Sequence, residues 1–110
     1  MAKKHSVLEI ARGLDQSFRP VELATIDGSH HAFVVRYDGD YERHVHQCDE
    51  FIYVLEGEIS FEMENAYVSL EAGESILIPA GVSHKPRCRD TALAMLVERM
   101  GQQAQPSTDD

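Results

Sequence analysis

An all-β sandwich or barrel is the fold class this sequence predicts, and three observations carry it. From residue 21 onward the chain divides into short runs rich in Val, Ile, Phe and Tyr, bounded by Gly, Asp and Asn. Such regularly spaced runs with turn residues between them read as strands that reverse around a shared core. The length of 110 residues and the 43% hydrophobic content suit one domain with one core. Helical spacing of apolar residues, finally, is confined to one short stretch near the start.

Ser6-Val7-Leu8-Glu9 reads as a capping box, and Val7, Ile10, Ala11 and Leu14 follow the helical period. A short amphipathic helix reaching Leu14 is expected. Gly13 weakens it by up to ~1 kcal/mol relative to Ala, and Pro20 prevents its extension. Residues 1–20 thus form an N-terminal helix and arm, packed across the outside of a sheet or against another subunit. Strands are expected at 21–26, 31–37, 41–46, 50–56, 58–63, 66–70, 75–78, 82–87 and 91–98, within a barrel spanning 21–99. Residues 100–110 contain almost nothing apolar and are expected to be a disordered tail. The runs at 51–55 and 92–97 are apolar on both faces, whereas a strand with one wet face would alternate. A second covering surface is needed; a homodimer is its simplest source, and the N-terminal helix alone is the alternative.

A net charge of −9 argues against nucleic-acid binding, which needs a basic patch, and against an anionic membrane surface. The first residues, Met1-Ala-Lys-Lys-His5, lack the apolar stretch of a signal peptide, and no run approaches a membrane span. A cytoplasmic location is expected, with Cys48 and Cys88 as thiols rather than a disulfide.

The chemistry concentrates between Gly39 and Gly57. Residues two apart on a strand face the same way, about 7 Å apart along it, so His44 and His46 can aim at one point. With Glu50 they make a ligand set for a divalent transition metal. His84, just after a Pro-x-Gly turn, adds a further imidazole. Burying three imidazoles and a carboxylate together carries a heavy desolvation cost that a cation would offset. His5, His30 and His31 are read as tail, turn or strand-edge residues and are not proposed as ligands. By alternation Glu42 and Asp40 would share the face of His44, with Arg43 and Tyr41 on the other, and Pro86 and Cys88 would share that of His84. Glu42 is then either an orienting group for an imidazole or a rim residue, and Cys88 is better read as a small apolar filler than as a soft group near the metal.

Gly39, His44, His46, Glu50 and Gly57 resemble the first cupin motif, and Gly73, Pro79, Gly81 and His84 resemble the second. Four residues separate Gly39 from His44 where the family's pattern has five, and Cys88 stands where the family often has Asn; neither departure touches a ligand position. The resemblance covers roughly residues 30–98 and implies a jelly-roll barrel, the double-stranded β-helix. It implies His44, His46, Glu50 and His84 as ligands of one divalent transition metal ion per chain, whether Fe, Mn, Ni, Zn, Co or Cu. Open coordination positions would serve a small-molecule substrate, with Glu50 the expected catalytic residue. The leading functional expectation is a small oxygenase-like enzyme acting on a compact polar organic molecule; its competitor is a non-catalytic ligand- or metal-sensing module.

Overall fold

The computed structural model describes residues 2–101 and 104–107. Among the described residues ten strands and one helix follow in the order α1 (Val7–Arg12), β1 (Val21–Ile26), β2 (His30–Asp38), β3 (His44–Val45), β4 (Glu50–Glu56), β5 (Glu58–Met63), β6 (Ala66–Glu71), β7 (Ser75–Ile78), β8 (His84–Arg87), β9 (Thr91–Arg99) and β10 (Gln105–Pro106). They form two antiparallel five-stranded sheets, ordered β1-β2-β9-β4-β7 and β10-β3-β8-β5-β6. The expected jelly-roll form is the one observed: consecutive strands repeatedly cross between the sheets, as β4 does into β5 at Gly57.

Between the sheets lies the core. Alternation assigns its members: Phe33, Val35 and Tyr37 on β2, Ile52 and Val54 on β4, Ile59 and Phe61 on β5, and Ala92, Ala94 and Leu96 on β9 all point inward. Phe61, Ile52 and Ile59 are fully buried, each stabilising the fold by roughly 1.5–3 kcal/mol relative to exposure. The other face of the first sheet carries a second apolar cluster, in which Ala11 of α1 meets Val34 and Leu93, with Leu55 and Met95 around them. The helix therefore packs across the outside of a sheet.

Three local expectations are corrected. Ser6 sits at the helix N-cap but makes no side-chain cap hydrogen bond, so the capping box does not form, and the helix ends at Arg12 rather than Leu14. Residues 41–43 are not strand, and β3 begins only at His44, because Gly39 turns the chain with φ 77° and the alternation is broken there. In the expected disordered tail, Gln105 and Pro106 pair with Val45 and His44. Backbone pairing needs no apolar side chain, and β3 would otherwise be an edge. Of the rest of that tail, Gln102, Gln103 and 108–110 lie outside the described residues.

Candidate metal centre

His44 is held by β3 opposite His84 of β8, the two being register partners. Glu50 opens β4 in the other sheet, and His46 lies in the connection just after β3. The cluster thus bridges both sheets at one end of the barrel. Two backbone ties hold the motif segments against each other: the Gly81 N–H donates to the His46 carbonyl at 2.9 Å, and the Ala80 N–H donates to Asp49 Oδ1 at 2.9 Å.

The structure brings all four predicted residues together, with one ligand-type atom from each lying within 4.8 Å of the others. His84 Nε2 is 3.3 Å from Glu50 Oε1, and His46 Nε2 is 3.4 Å from Glu50 Oε2. His44, Glu50 and His84 are buried. Two imidazoles are oriented by backbone carbonyls: His44 Nδ1 lies 2.9 Å from the carbonyl of Glu42 and His84 Nδ1 lies 3.0 Å from that of Val82. A carbonyl only accepts, so each Nδ1 carries the proton and each Nε2 keeps a lone pair for the cluster. Both ring nitrogens of His46, and Nε2 of His84, are buried without a hydrogen-bond partner. A buried polar atom left so costs about 1–3 kcal/mol, and a divalent cation among these donors would satisfy several at once. The donor set fits a transition metal ion that accepts imidazole and carboxylate.

Electrostatics agree with a cation-ready state. Burial holds the His44 imidazole below its usual range, the bond to Glu42 opposing and the neighbouring imidazoles adding to the effect. Burial likewise lowers His46, against the opposing charge of Glu50. For Glu50, burial pushes upward, but the imidazoles around it, His84 foremost at 3.3 Å and then His46 and His44, together hold the carboxyl below its usual range. Neutral imidazoles beside an ionised carboxylate are the protonation states a metal requires.

Beside the cluster opens a cavity of about 170 Å³. Its walls beyond the ligands are mostly apolar or aromatic, including Phe18, Phe33, Ile52 and Phe61, with Tyr37, Tyr41 and Glu98 as polar exceptions. The side chain of Glu42 stays at the exposed rim, its orienting role falling to its carbonyl. Tyr41, expected to face away from His44, instead meets it edge-on with ring centroids 5.5 Å apart, since period-two counting fails outside β3. Pro86 lines the cavity as expected, whereas Cys88 sits in the main core as a filler, its thiol donating to the Asp90 carbonyl.

Sequence reasoning passed over Phe18, Tyr37 and Glu98, which line the cavity. Alternation from Phe33 and Val35 would have placed Tyr37 inward, and alternation from Leu96 would have done so for Glu98. His31, read as a strand-edge residue, faces inward between Glu22 Oε1 at 3.2 Å and Glu98 Oε1 at 3.8 Å. Phe18 lies in the arm before β1 and carried no periodic signal.

Residues 31–98 match the model of the cupin domain. The chain is 28% identical over 100 residues to the uncharacterized protein YdbB of Bacillus subtilis (strain 168), covering 89% of this chain and 88% of that one. A crystal structure of a cupin-2 domain containing protein from Shewanella frigidimarina superposes with a TM-score of 0.79 at 27% identity, over 84% of this chain and 90% of that one. Hydroquinone 1,2-dioxygenase PnpCD, crystallised with Cd2+ and 4-hydroxybenzonitrile, superposes with a TM-score of 0.74 at 19% identity, over 87% of this chain and 72% of that one, a likeness of fold. With the family match spanning most of the barrel and the two motifs meeting at one site, this chain belongs to the cupin domain family.

Proposed function

We propose that this protein is a small metal-dependent enzyme, oxygenase-like, acting on a compact organic molecule that has a polar, chelating end. The observation that carries it is the convergence of His44, His46, Glu50 and His84 on one point, beside a cavity of about 170 Å³. One divalent transition metal ion per chain would supply Lewis acidity and open positions for substrate and oxygen. Oriented by Glu42 and Val82, His44 and His84 would hold the ion as neutral ligands. Glu50, ionised and buried, would set the charge at the centre and is the residue assigned to catalysis. The apolar walls would exclude water from the substrate's body. The fold likeness to a hydroquinone dioxygenase is in keeping with this reading. Its setting is the cytoplasm, with Cys48 and Cys88 not joined to each other, and its assembly a homodimer.

Elemental analysis of untagged protein tests the centre: near one ion per chain is expected, lost in His44→Ala, His46→Ala and His84→Ala. Metal-free wild type that also binds no added Fe(II), Mn(II), Ni(II) or Zn(II) in calorimetry would overturn it. For the reaction, the Fe(II)-loaded protein should consume oxygen with some member of a panel of small diketones, thiols, catechols and hydroxy acids, and Glu50→Ala should weaken that turnover. Reproducible binding with no product across Fe(II), Mn(II), Ni(II) and Zn(II) forms would point instead to a sensing module.

A further inference from the structure

Phe18 is one of two described non-glycine residues with positive φ, at 60°, and it lies in no hairpin turn; the other, Asp27, sits in the β1–β2 turn. A bulky side chain rarely adopts this conformation, and it persists only where the surroundings over-determine it. Here the Phe18 N–H donates to the Arg36 carbonyl at 2.8 Å, and the Arg36 guanidinium in turn donates to the Asp15 carbonyl at 3.4 Å. These bonds fasten the arm to β2. With this backbone the ring projects into the cavity, where Phe18 is a lining residue. Its ring meets Tyr41 at 4.8 Å and Tyr37, edge-on, at 5.7 Å between centroids. Tyr41 in turn abuts His44, so one aromatic wall runs from the arm to the ligand cluster.

We propose that Phe18, with Tyr41 behind it, is the specificity-determining residue of the cavity, selecting a chelating ligand whose body is a planar ring over an aliphatic one of the same donor set. This rests on the metal-centre reading given above. Aromatic faces favour offset or edge-on contact with another ring and give an aliphatic chain only area burial. A ligand chelated at the cluster would extend its body along this wall. A strained backbone at the residue that presents the ring is the kind of position at which conformational cost accompanies function.

The test compares benzohydroxamate with acetohydroxamate, which chelate through the same two oxygens and differ in the ring, by titrating the visible spectrum of the Co(II)-loaded protein. Wild type should prefer the aromatic probe. Phe18→Leu, which keeps apolar bulk without a ring, should reduce that preference about three- to tenfold, leaving the acetohydroxamate affinity near its wild-type value. Tyr41→Leu should reduce it in the same direction, and circular dichroism should report both variants folded. A merely structural role for Phe18 would change stability, or both affinities alike, and an unchanged ratio in Phe18→Leu overturns the proposal. If the Co(II)-loaded wild type binds neither hydroxamate, the proposal is overturned; if wild type takes up no Co(II), the metal reading fails, and the wall is then judged on metal-free protein by saturation-transfer NMR with phenol and cyclohexanol. Transfer to the phenol ring that exceeds transfer to cyclohexanol and is lost in Phe18→Leu supports the proposal, and its absence from wild type overturns it.

Discussion

Tyr37 shows how one inward position links stability to chemistry. Burial, and then the charges of Glu50 and Glu98, push its hydroxyl well above the ordinary tyrosine range, so the folded chain keeps a neutral hydroxyl group in the cavity wall. In the unfolded chain the same group loses its proton near pH 10. The folded state therefore binds more protons at alkaline pH, and the contribution of Tyr37 to stability is complete below about pH 10 and falls as pH rises past it. Denaturant unfolding of metal-free protein should show an alkaline limb steeper in wild type than in Tyr37→Phe by about 1.4 kcal/mol per pH unit. Parallel limbs would mean that the hydroxyl is not held neutral. His44 and His46 have the opposite sign: burial lowers both, so the folded state resists protonation, and stability is lost as pH falls from about 6.5, where the unfolded imidazoles charge. A metal that binds only the folded form should add about 2.7 kcal/mol at a hundred times its dissociation constant. This gain should be large at pH 7.5 and shrink towards pH 5 as protons compete for the ligands, and a melting temperature indifferent to metal at pH 7.5 would contradict a preformed centre.

At the scale of elements, the β4–β5 crossing depends on Gly57. Its φ is 84°, and a Cβ there would stand 2.8 Å from the Thr91 carbonyl oxygen and 3.0 Å from Ala92. Both neighbours are backbone or a short side chain on β9, so neither can swing away. Gly57→Ala should cost about 2–4 kcal/mol by combining strain with a clash. Gly81→Ala shares a positive φ but meets nothing within 4 Å and should cost about 1 kcal/mol. Chemical denaturation of the two variants checks the order, which equal losses would refute. Elements of this kind were legible: the strands from β4 to β9 lie within about two residues of their expected bounds, because turn glycines and alternating apolar residues mark them locally. The clustering of the four candidate residues was legible for the same reason, since His44 and His84 stand in strands and Glu50 opens one. What escaped was set by tertiary packing. Tyr41 faces His44 because residues 41–43 are irregular, Phe18 reaches the cavity through a backbone conformation that no periodicity announces, and β10 forms from Gln105 and Pro106, in a stretch that a composition argument assigns to disorder.

For the whole molecule the outer face of the first sheet decides association. The α1 helix covers one part of it, over Val34 and Leu93. Beyond the helix, register places Leu77, Phe51, Val97 and Ala32 side by side on four adjoining strands. Phe51 is 37% exposed and Leu77 is 55% exposed, and a contiguous apolar row of this kind is the mark of an association surface. A second copy of the chain is the partner proposed, and a stable dimer would bury about 800 Å² on each subunit, extending past this row to the surrounding rim. Two copies each carrying a net charge of −9 also repel, so added salt should strengthen the association by screening while leaving the apolar contact intact. Light scattering should give twice the chain mass of 12.4 kDa at micromolar concentration, with the dimer fraction rising between low and moderate salt. Leu77→Glu should shift the protein to monomer yet keep its metal content, because Leu77 faces away from the barrel interior in which the ligand cluster lies. Wild type that stays monomeric at high micromolar concentration across the salt range, or a Leu77→Glu protein that remains dimeric, would show that this row is not the interface.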